Sequence, residues 1–413
     1  MNAYTLVRQS EVYLASTFSY IDAVASYNTS KILHAFEHHE VSERHLSYST
    51  GYGYNDDGRD TLDAVFAEVF DAEAAFVRPH IVSGTHAITI GLFGLLRPGD
   101  TLLSVTGMPY DTLKGTIFGK GQGSLADFGI KYRDVEMVNS EKSPFDLAAI
   151  ESILREDDSV KVVYAQKSKG YSLRPSLQSH EFEKLVRLVK SIRREVYVVV
   201  DNCYGEFTEY REPPNYGVDL VIGSLIKNPG GGIAESGGYI AGTKKAVELA
   251  SYRLTTPGIG AEVGASLGAT RNIFKGLSVA AHVTAQSLKT AALFACAYDA
   301  LGYEVSPKHN DYRSDIVQTI TFGDPDKLIR FVQAVQSASF IDSQVKPVPS
   351  PMPGYDCDII MASGSFTLGS SIEISADAPL REPYAVYVQG ATTYEAGRCC
   401  VEKTLENEVF DED

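Results

Sequence analysis

The middle of the chain alternates between short, continuous apolar runs and longer segments with helical periodicity. The run Tyr197-Val198-Val199-Val200 has no polar position within it, which is typical of a strand buried on both faces. Strands are predicted at 101–105, 161–166, 196–201, 219–225 and 238–241, and helices at 60–70, 85–96, 145–155 and 179–194. Because strands and helices alternate, we predict an α/β fold with a mostly parallel sheet covered by helices.

The two ends of the chain show other patterns. Residues 1–50 look helical, with one helix expected at 31–46, and a long helical segment covers 264–302. After it come strand-like pieces at 316–322 and 371–375, and a loop at 347–353 that contains four prolines. We therefore predict three parts, which are an N-terminal helical arm (1–59), a large domain (60–262) and a smaller α+β C-terminal domain (263–413).

The charge and cysteine content narrow the classes of function. Lys and Arg total 37 against 53 Asp and Glu, a net charge of −16 that repels nucleic acids and anionic membranes. The sequence has no run of apolar residues long enough for a membrane span or a signal peptide, so we expect a cytoplasmic protein. Five cysteines without a C-x-x-C pair favour a reducing compartment over a disulfide framework.

Two motifs precede or follow predicted elements in a way that suits a phosphate-bearing cofactor. Ser83-Gly84-Thr85 lies directly before a predicted helix, whose free N–H groups and dipole can bind phosphate. An ordinary helix N-cap is the alternative. Tyr110 follows the strand at 101–105, at the sheet edge where ligands bind in open α/β folds. Its ring is placed either to stack on a flat heteroaromatic group or simply to pack.

Two further motifs follow the most apolar strands. Asp201 ends one of these strands, and a carboxylate at the end of a buried strand needs a cationic partner such as a protonated pyridine nitrogen. The alternative role for Asp201 is that of a helix cap. Lys227 follows the strand at 219–225 and precedes Gly230-Gly231-Gly232. An amine in this position is poorly solvated and well placed to form an imine. The alternative is a surface lysine in a glycine turn. Ser224 is placed to reach a phosphate oxygen. In this order, the motifs match the plan of fold-type I pyridoxal-phosphate enzymes.

These motifs, together with others in the chain, resemble those of a known family. The chain resembles the aluminium-resistance proteins, a methionine γ-lyase-like or cystathionine β-lyase-like branch of fold type I. The resemblance implies a seven-stranded sheet, pyridoxal 5′-phosphate as cofactor, and cleavage of a carbon–sulfur bond in an amino acid by β- or γ-elimination. Two positions depart from the wider trans-sulfuration enzymes, Ile226 where they have threonine and Asp111-Thr112 where they have Gly-Gly-Thr. The motifs are Thr50-Gly51-Tyr52-Gly53-Tyr54, Asp57-Gly58-Arg59, Ser83-Gly84-Thr85-His86, Pro109-Tyr110-Asp111-Thr112-Leu113, Asn228-Pro229-Gly230-Gly231-Gly232 and Ser375-Ala376-Asp377-Ala378-Pro379.

The resemblance also implies contacts across subunits and to the substrate. In trans-sulfuration enzymes a tyrosine and an arginine of the neighbouring subunit contact the phosphate, and Tyr52, Tyr54 and Arg59 are the candidates here. The segment 1–59 is thus expected to be a subunit contact in a homodimer or homotetramer. Arg381 is expected to bind the substrate carboxylate through its planar fork. A salt bridge to Glu382 or Asp377 is the alternative, with Arg174 and Arg398 as other carboxylate candidates.

The expected chemistry assigns one role to each central residue. Lys227 is the general base at the substrate Cα, Asp201 keeps the pyridine ring protonated, and Tyr110 assists the leaving thiolate. Two rival functions stay open. An aminotransferase or racemase would use the same residues, and a non-catalytic binding or regulatory protein would keep the fold alone.

A histidine group and one cysteine offer other chemistry. His34 and His38 are four apart on a predicted helix, with His39 and His45 nearby, a spacing that can ligate a metal. Because the sequence offers no obvious third ligand, we predict a solvated helix face and no metal site. Cys203, two residues after Asp201, is either a reactive thiol or a small buried hydrophobe.

Overall fold

Seven strands form the larger of two sheets, in the order β1-β7-β6-β5-β4-β2-β3. The computed structural model describes residues 2–140 and 143–410, without the side chains of 408–410. Within this sheet β7 is antiparallel to β1 and β6, while the other neighbouring pairs are parallel, which confirms the predicted mostly parallel sheet. The strands are β1 Ala74–Arg78, β2 Thr101–Ser104, β3 Lys131–Asp134, β4 Val160–Gln166, β5 Tyr197–Asp201, β6 Leu220–Ser224 and β7 Gly238–Gly242.

Helices cover both faces of this sheet. Alternate residues of the central strands belong to two separate apolar cores, with Val198 and Val200 in one and Val199 in the other. This double burial explains the continuous apolar runs in the sequence. The helices are α1 Ala3–Tyr13, α2 Ala15–His38, α3 Asp57–Val69, α4 Gly84–Leu95, α5 Asp111–Phe118, α6 Leu147–Glu156, α7 Phe182–Ile192, α8 Lys244–Leu254, α9 Thr270–Ala300, α10 Pro325–Ser337 and α11 Tyr394–Phe410. Short 3-10 helices lie at Glu43–Leu46, Ser179–Glu181, Pro213–Tyr216, Asn228–Gly230 and Gly260–Glu262.

A smaller antiparallel sheet follows in the C-terminal part, in the order β10-β11-β12-β9-β8. Helix α9 connects the two parts, because its first half packs into the core of the large sheet and its second half into that of the small one. Helix α1 also packs there, through Leu6 and Val7. The division into three predicted parts stays a prediction. The strands are β8 Glu304–Ser306, β9 Gln318–Thr321, β10 Ile359–Ser363, β11 Ser375–Pro379 and β12 Ala385–Gln389.

Some elements differ from the prediction, each for a local reason. The helix expected at 31–46 ends at His38, because Glu40 takes a left-handed conformation (φ 48°) and a 3-10 helix follows. Strands β1 and β3 are absent from the prediction, because β1 is short and ends in the charged, buried Arg78, and β3 is a partly exposed edge strand with mostly polar residues. The strand expected at 371–375 begins only at Ser375, since β11 consists of small and polar residues. Among the described residues, no helix combines the length and the apolar character that a membrane crossing requires.

Candidate active site

The predicted chemical residues meet where strands β2, β4, β5 and β6 have their carboxyl ends. Asp201 and Ser224 are the last residues of β5 and β6, and Lys227 follows β6 by a short turn. Tyr110 precedes α5 at the same edge of the sheet. This edge is the usual ligand site of open parallel sheets. The structure therefore brings together residues that stand up to 117 positions apart, between Tyr110 and Lys227.

The N-terminus of α4 points into this site. Ser83 caps the helix, and its Oγ accepts a hydrogen bond from the backbone N–H of His86 at 3.0 Å. A Cβ added at Gly84 would lie 3.0 Å from Cys203 Sγ, 3.6 Å from Ser224 Cβ and 4.0 Å from Lys227 Nζ. Glycine thus lets the helix end approach the lysine closely, and the free N–H groups of the first turn suit an anion.

Ser224 carries an unused hydroxyl group inside this site. Its side chain is fully buried, and among the described residues its Oγ has no hydrogen-bond partner. A buried polar atom left without a partner costs about 1–3 kcal/mol, so this hydroxyl is available to a ligand that can satisfy it. A phosphate oxygen is such a ligand, and the adjacent N-terminus of α4 suits the same group. The residues therefore fit pyridoxal phosphate at the predicted position.

Asp201 is buried, and its charge is controlled by its neighbours. Its Oδ1 accepts the backbone N–H of Cys203 at 3.1 Å. Burial raises the pKa of Asp201, while Lys227 and the hydrogen bonds from Cys203 lower it in part. Burial likewise raises the pKa of the Cys203 thiol well above its usual value, and Asp201 adds to this. Cys203 is therefore protonated at neutral pH, as expected of a small buried residue rather than of a reactive thiolate.

Lys227 lies against an aromatic ring that the sequence analysis did not single out. Its Nζ is 3.9 Å from the centre of the Tyr204 ring. Burial lowers the pKa of Lys227, but its acidic surroundings, which include the Asp201 carboxyl group, outweigh this and raise it. Tyr204 itself has φ 73°, a strained conformation for a residue with a Cβ, and such strain is concentrated at functional sites. Asn228 holds this loop by donating to the carbonyl of Tyr204 at 3.1 Å.

Tyr110 faces the same group of residues. Its Oη lies 3.0 Å from Thr85 Oγ1 in the first turn of α4. Burial raises the pKa of Tyr110 well above its usual value, and the nearby Asp201 adds to this. The phenol therefore stays protonated at neutral pH, which makes it a proton donor rather than a base. Thr85 is accordingly part of the site, in contact with Tyr110.

Further residues around the candidate site come from segments that are remote in sequence. Asp377 on β11 accepts a hydrogen bond from Gln389 Nε2 at 2.7 Å and another from Tyr171. Burial raises the pKa of Asp377, and Lys227 is near enough to lower it in part. The Tyr171 ring lies 6.1 Å from that of Tyr355. No local pattern marks these residues, because only the packing of the two sheets brings them to Lys227.

The three candidate carboxylate-binding arginines lie in different surroundings. Arg174 donates to the backbone carbonyls of Gln166 at 2.7 Å and Ser168 at 2.6 Å, and Arg398 pairs with carboxylates of α1 and α11. Arg381 lies between β11 and β12, with its side chain 44% exposed, and pairs with Asp356 at 3.2 Å. This partner is neither Glu382 nor Asp377, the two that the sequence suggested. Its role towards the substrate stays a prediction.

The three candidates for a contact across subunits also separate. Tyr52 and Tyr54 are exposed, at 74% and 67%. Arg59 is buried, and its Nη1 donates to the carbonyls of Gly51 at 2.8 Å and Gly53 at 3.1 Å. In this conformation Arg59 supports the backbone of its own chain, so the tyrosines are the better placed of the three to reach a neighbouring subunit.

Comparisons with known proteins agree with this geometry. Protein YnbB of Bacillus subtilis (strain 168), which is uncharacterised, is 48% identical over 387 residues, covering 93% of this chain and 91% of that protein. The structure of a carbon-sulfur lyase involved in aluminum resistance from Clostridium novyi NT is 45% identical, with a TM-score of 0.94 over 98% of this chain and 96% of that one. The resemblance to the aluminium-resistance proteins is confirmed.

A more distant structure confirms the fold type. The pyridoxal-5′-phosphate-dependent protein YhfS of Escherichia coli shares the fold at 15% identity, with a TM-score of 0.62 over 93% of this chain and 96% of that one. The expected fold-type I architecture is thus observed. The family model of methionine gamma-lyase matches residues 3–409, and the chain belongs to the methionine gamma-lyase family.

Proposed function

We propose that this protein is a pyridoxal-phosphate-dependent lyase that cleaves a carbon–sulfur bond in an amino acid by β- or γ-elimination. The observation that carries the proposal is the convergence of the Lys227 amine, the Asp201 carboxyl group and the unpartnered Ser224 hydroxyl at the glycine end of α4. The carbon–sulfur specificity is supported by the family and by the name of the Clostridium novyi relative.

Four parts of the site would hold the cofactor. The first turn of α4 and Ser224 would bind the phosphate, Asp201 would accept the N–H of the pyridine nitrogen, and the Tyr110 ring would cover a face of the pyridine. Lys227 would hold it covalently. When bound, pyridoxal phosphate supplies a sink for the electron pair released at the substrate Cα.

The side chains of the site divide the proton transfers between them. Lys227 Nζ would take the proton from the substrate Cα, since the amine that holds the cofactor is also the one closest to the bound substrate. Tyr110 Oη, which is protonated at neutral pH, would give a proton to the departing sulfur, so that a thiol leaves rather than a thiolate. Asp201 would stay anionic by pairing with the ring N–H and would thereby keep the ring protonated.

Product analysis tests the proposal. The protein is incubated with single sulfur-containing amino acids and no acceptor, and ammonia, thiol and 2-oxo acid are measured. Elimination gives all three, and for cystathionine the pair of pyruvate and homocysteine indicates β-cleavage. A product that forms only when a 2-oxo acid is added indicates an aminotransferase. Inversion of the substrate without any other product indicates a racemase. If no amino acid gives any of these products, the protein is a binding protein. Each of these three outcomes would contradict a lyase.

Replacing Ser224 with alanine is expected to weaken cofactor affinity about tenfold, through the loss of one hydrogen bond to a charged phosphate. The free energy of unfolding of the cofactor-free protein should stay within about 1 kcal/mol of the parent, because the hydroxyl has no protein partner to lose. Equilibrium titration of the cofactor-free variant, followed by its visible absorbance, measures the affinity.

Thr290 provides a matched control for Ser224. Its Oγ1 is also buried without a described partner, but it lies between α9 and α11, against Gly397. Thr290→Val should leave cofactor affinity unchanged. Equal losses in the two variants, or none in Ser224→Ala, would remove Ser224 from the phosphate site.

Replacing Arg381 with alanine is expected to weaken amino-acid binding at least about tenfold, while the yellow colour and the cofactor affinity are retained. A guanidinium gives a carboxylate two parallel donors, so Arg381→Lys should restore only part of the affinity. Asp356→Asn is the matched control, since it frees Arg381 from its exposed partner and should keep or improve binding. Loss of cofactor with unchanged amino-acid affinity would instead assign Arg381 to the phosphate.

The proposal includes a homodimer or homotetramer in which Tyr52 and Tyr54 reach the neighbouring phosphate. Two contacts hold this segment in place, the donation from Arg59 and a hydrogen bond from Gly264 N to Gly51 O at 3.2 Å. Mixing a Lys227→Ala chain with a Tyr52→Phe/Tyr54→Phe chain should restore activity, because one of the two sites in each hybrid dimer has both an intact lysine and intact tyrosines. In a random mixture about a quarter of all sites would be intact. Proven hybrid dimers without recovered activity would contradict the shared site.

A further inference from the structure

Three histidines converge on one carboxylate where helix α2 ends. Glu68 Oε1 lies 2.9 Å from His34 Nδ1, and Glu68 Oε2 lies 2.6 Å from His38 Nδ1 and 2.9 Å from His39 Nε2. Glu68 belongs to α3, which packs beside α2. No metal site is predicted from the sequence, because no third ligand is visible there. That premise is wrong, since the missing ligand comes from another helix 29 residues after His39.

The donor atoms already have nearly the spacing of a metal centre. One ligand atom from each of His38, His39 and Glu68 lies within 4.8 Å of the other two. In a tetrahedral zinc site with bonds of about 2.0–2.1 Å, donor atoms stand roughly 3.3 Å apart. An ion would therefore need the present contacts to open by less than about one ångström, which rotations of partly exposed side chains can supply.

One donor atom of the cluster has an ion-pair contact but no hydrogen bond. His39 Nε2 is buried, and among the described residues it makes no hydrogen bond, although it lies 2.9 Å from Glu68 Oε2. A buried ring nitrogen in this position is costly unless something satisfies it. A cation bound between the two atoms would be the partner of both.

The helix geometry favours positive charge at the same point. Helix α2 has 24 residues and ends at His38, and His39 is its C-cap. The partial negative charge of a helix C-terminus stabilises a cation there. His34 and His38 are 73% and 65% exposed, so an ion can enter directly from solvent.

We propose that His38, His39 and Glu68 form a binding site for a divalent transition metal, with His34 beside them as a further ligand. Imidazole nitrogens with one carboxylate suit Zn²⁺ foremost, and also Ni²⁺ and Cu²⁺. The bound ion would join α2 of the N-terminal arm to α3, which carries Arg59. The proposal does not depend on the proposed lyase activity, since none of its residues belongs to the candidate active site.

Zinc titration of an untagged, chelator-treated protein tests the site. Isothermal calorimetry and competition with a chromophoric chelator should show one tight site per chain, with micromolar or lower Kd. His38→Ala/His39→Ala should lose at least 100-fold in affinity, and Glu68→Gln at least tenfold. The melting temperature of the parent should rise with zinc, and that of the double variant should not.

His180→Ala/His282→Ala is the matched control, because it removes two exposed histidines elsewhere and leaves the cluster intact. It should bind zinc as the parent does and show the same rise in melting temperature. Circular dichroism checks that all variants are folded. The proposal is overturned if the parent binds no zinc below millimolar concentration, or if the His38→Ala/His39→Ala protein binds as the parent does.

Discussion

Replacing Lys227 with alanine is expected to lower lyase turnover by at least about 10³-fold, because the variant loses both the covalent attachment of the cofactor and the base at the substrate Cα. Pyridoxal phosphate should still bind, but more weakly, since the proposed phosphate contacts at α4 and Ser224 would remain. The variant should be colourless after dialysis, while the parent should be yellow. Steady-state kinetics with added cofactor measure the change in turnover.

Two controls separate a chemical role of Lys227 from a structural one. Small primary amines such as methylamine should restore part of the lost turnover, because they supply the missing base without the side chain. Lys275→Ala, an exposed position on α9, should be yellow and fully active. A Lys227→Ala protein that keeps more than a tenth of the parent turnover would contradict the assignment.

Replacing Asp201 with asparagine is expected to lower turnover roughly 10–150-fold, the loss that corresponds to one hydrogen bond with a charged group. Asparagine keeps the shape of the side chain and can still accept the N–H of Cys203, so the fold should be unaffected. It carries no negative charge, and the pyridine nitrogen would then lose its proton at neutral pH. Turnover and cofactor affinity are measured separately, and the larger change is expected in turnover.

Glutamate is the informative comparison at this position. Asp201→Glu restores the charge but displaces it by one methylene group, so its turnover should lie between those of the parent and Asp201→Asn. Suppose that Asp201→Asn and Asp201→Glu lose cofactor affinity equally, while the turnover per bound cofactor stays normal in both. Asp201 would then have a structural role in the turn after β5 and no role in the reaction.

The large sheet is predictable from sequence where its strands are buried on both faces. Val198, Val199 and Val200 have apolar neighbours on either side of the sheet, so burial alone sets their residue type. The small sheet is harder, because one face of β11 carries polar groups such as Asp377, which Gln389 of the adjacent strand satisfies. A polar strand whose partners come from another strand has no apolar signature.

The central site residues are predictable because each one ends an apolar strand or begins a helix. Asp201, Ser224 and Lys227 are conspicuous as polar groups beside buried runs. Tyr204, Tyr171 and Asp377 carry no such mark, since their places depend on how the loops and the two sheets pack. The cluster of His38, His39 and Glu68 shows the same limit, because the two histidines are visible on α2 but Glu68 joins them only through helix packing.

The assignment of Lys227 as the lysine that holds the cofactor is tested most directly by locating the attachment point. The yellow protein is reduced with borohydride, digested, and searched by mass spectrometry for the peptide that carries the pyridoxyl group. We expect a single modified peptide, with the group on Lys227, whose amine lies against Tyr204 and the Gly84 end of α4. A pyridoxyl group on any other lysine, or a protein that binds no pyridoxal phosphate, would contradict it.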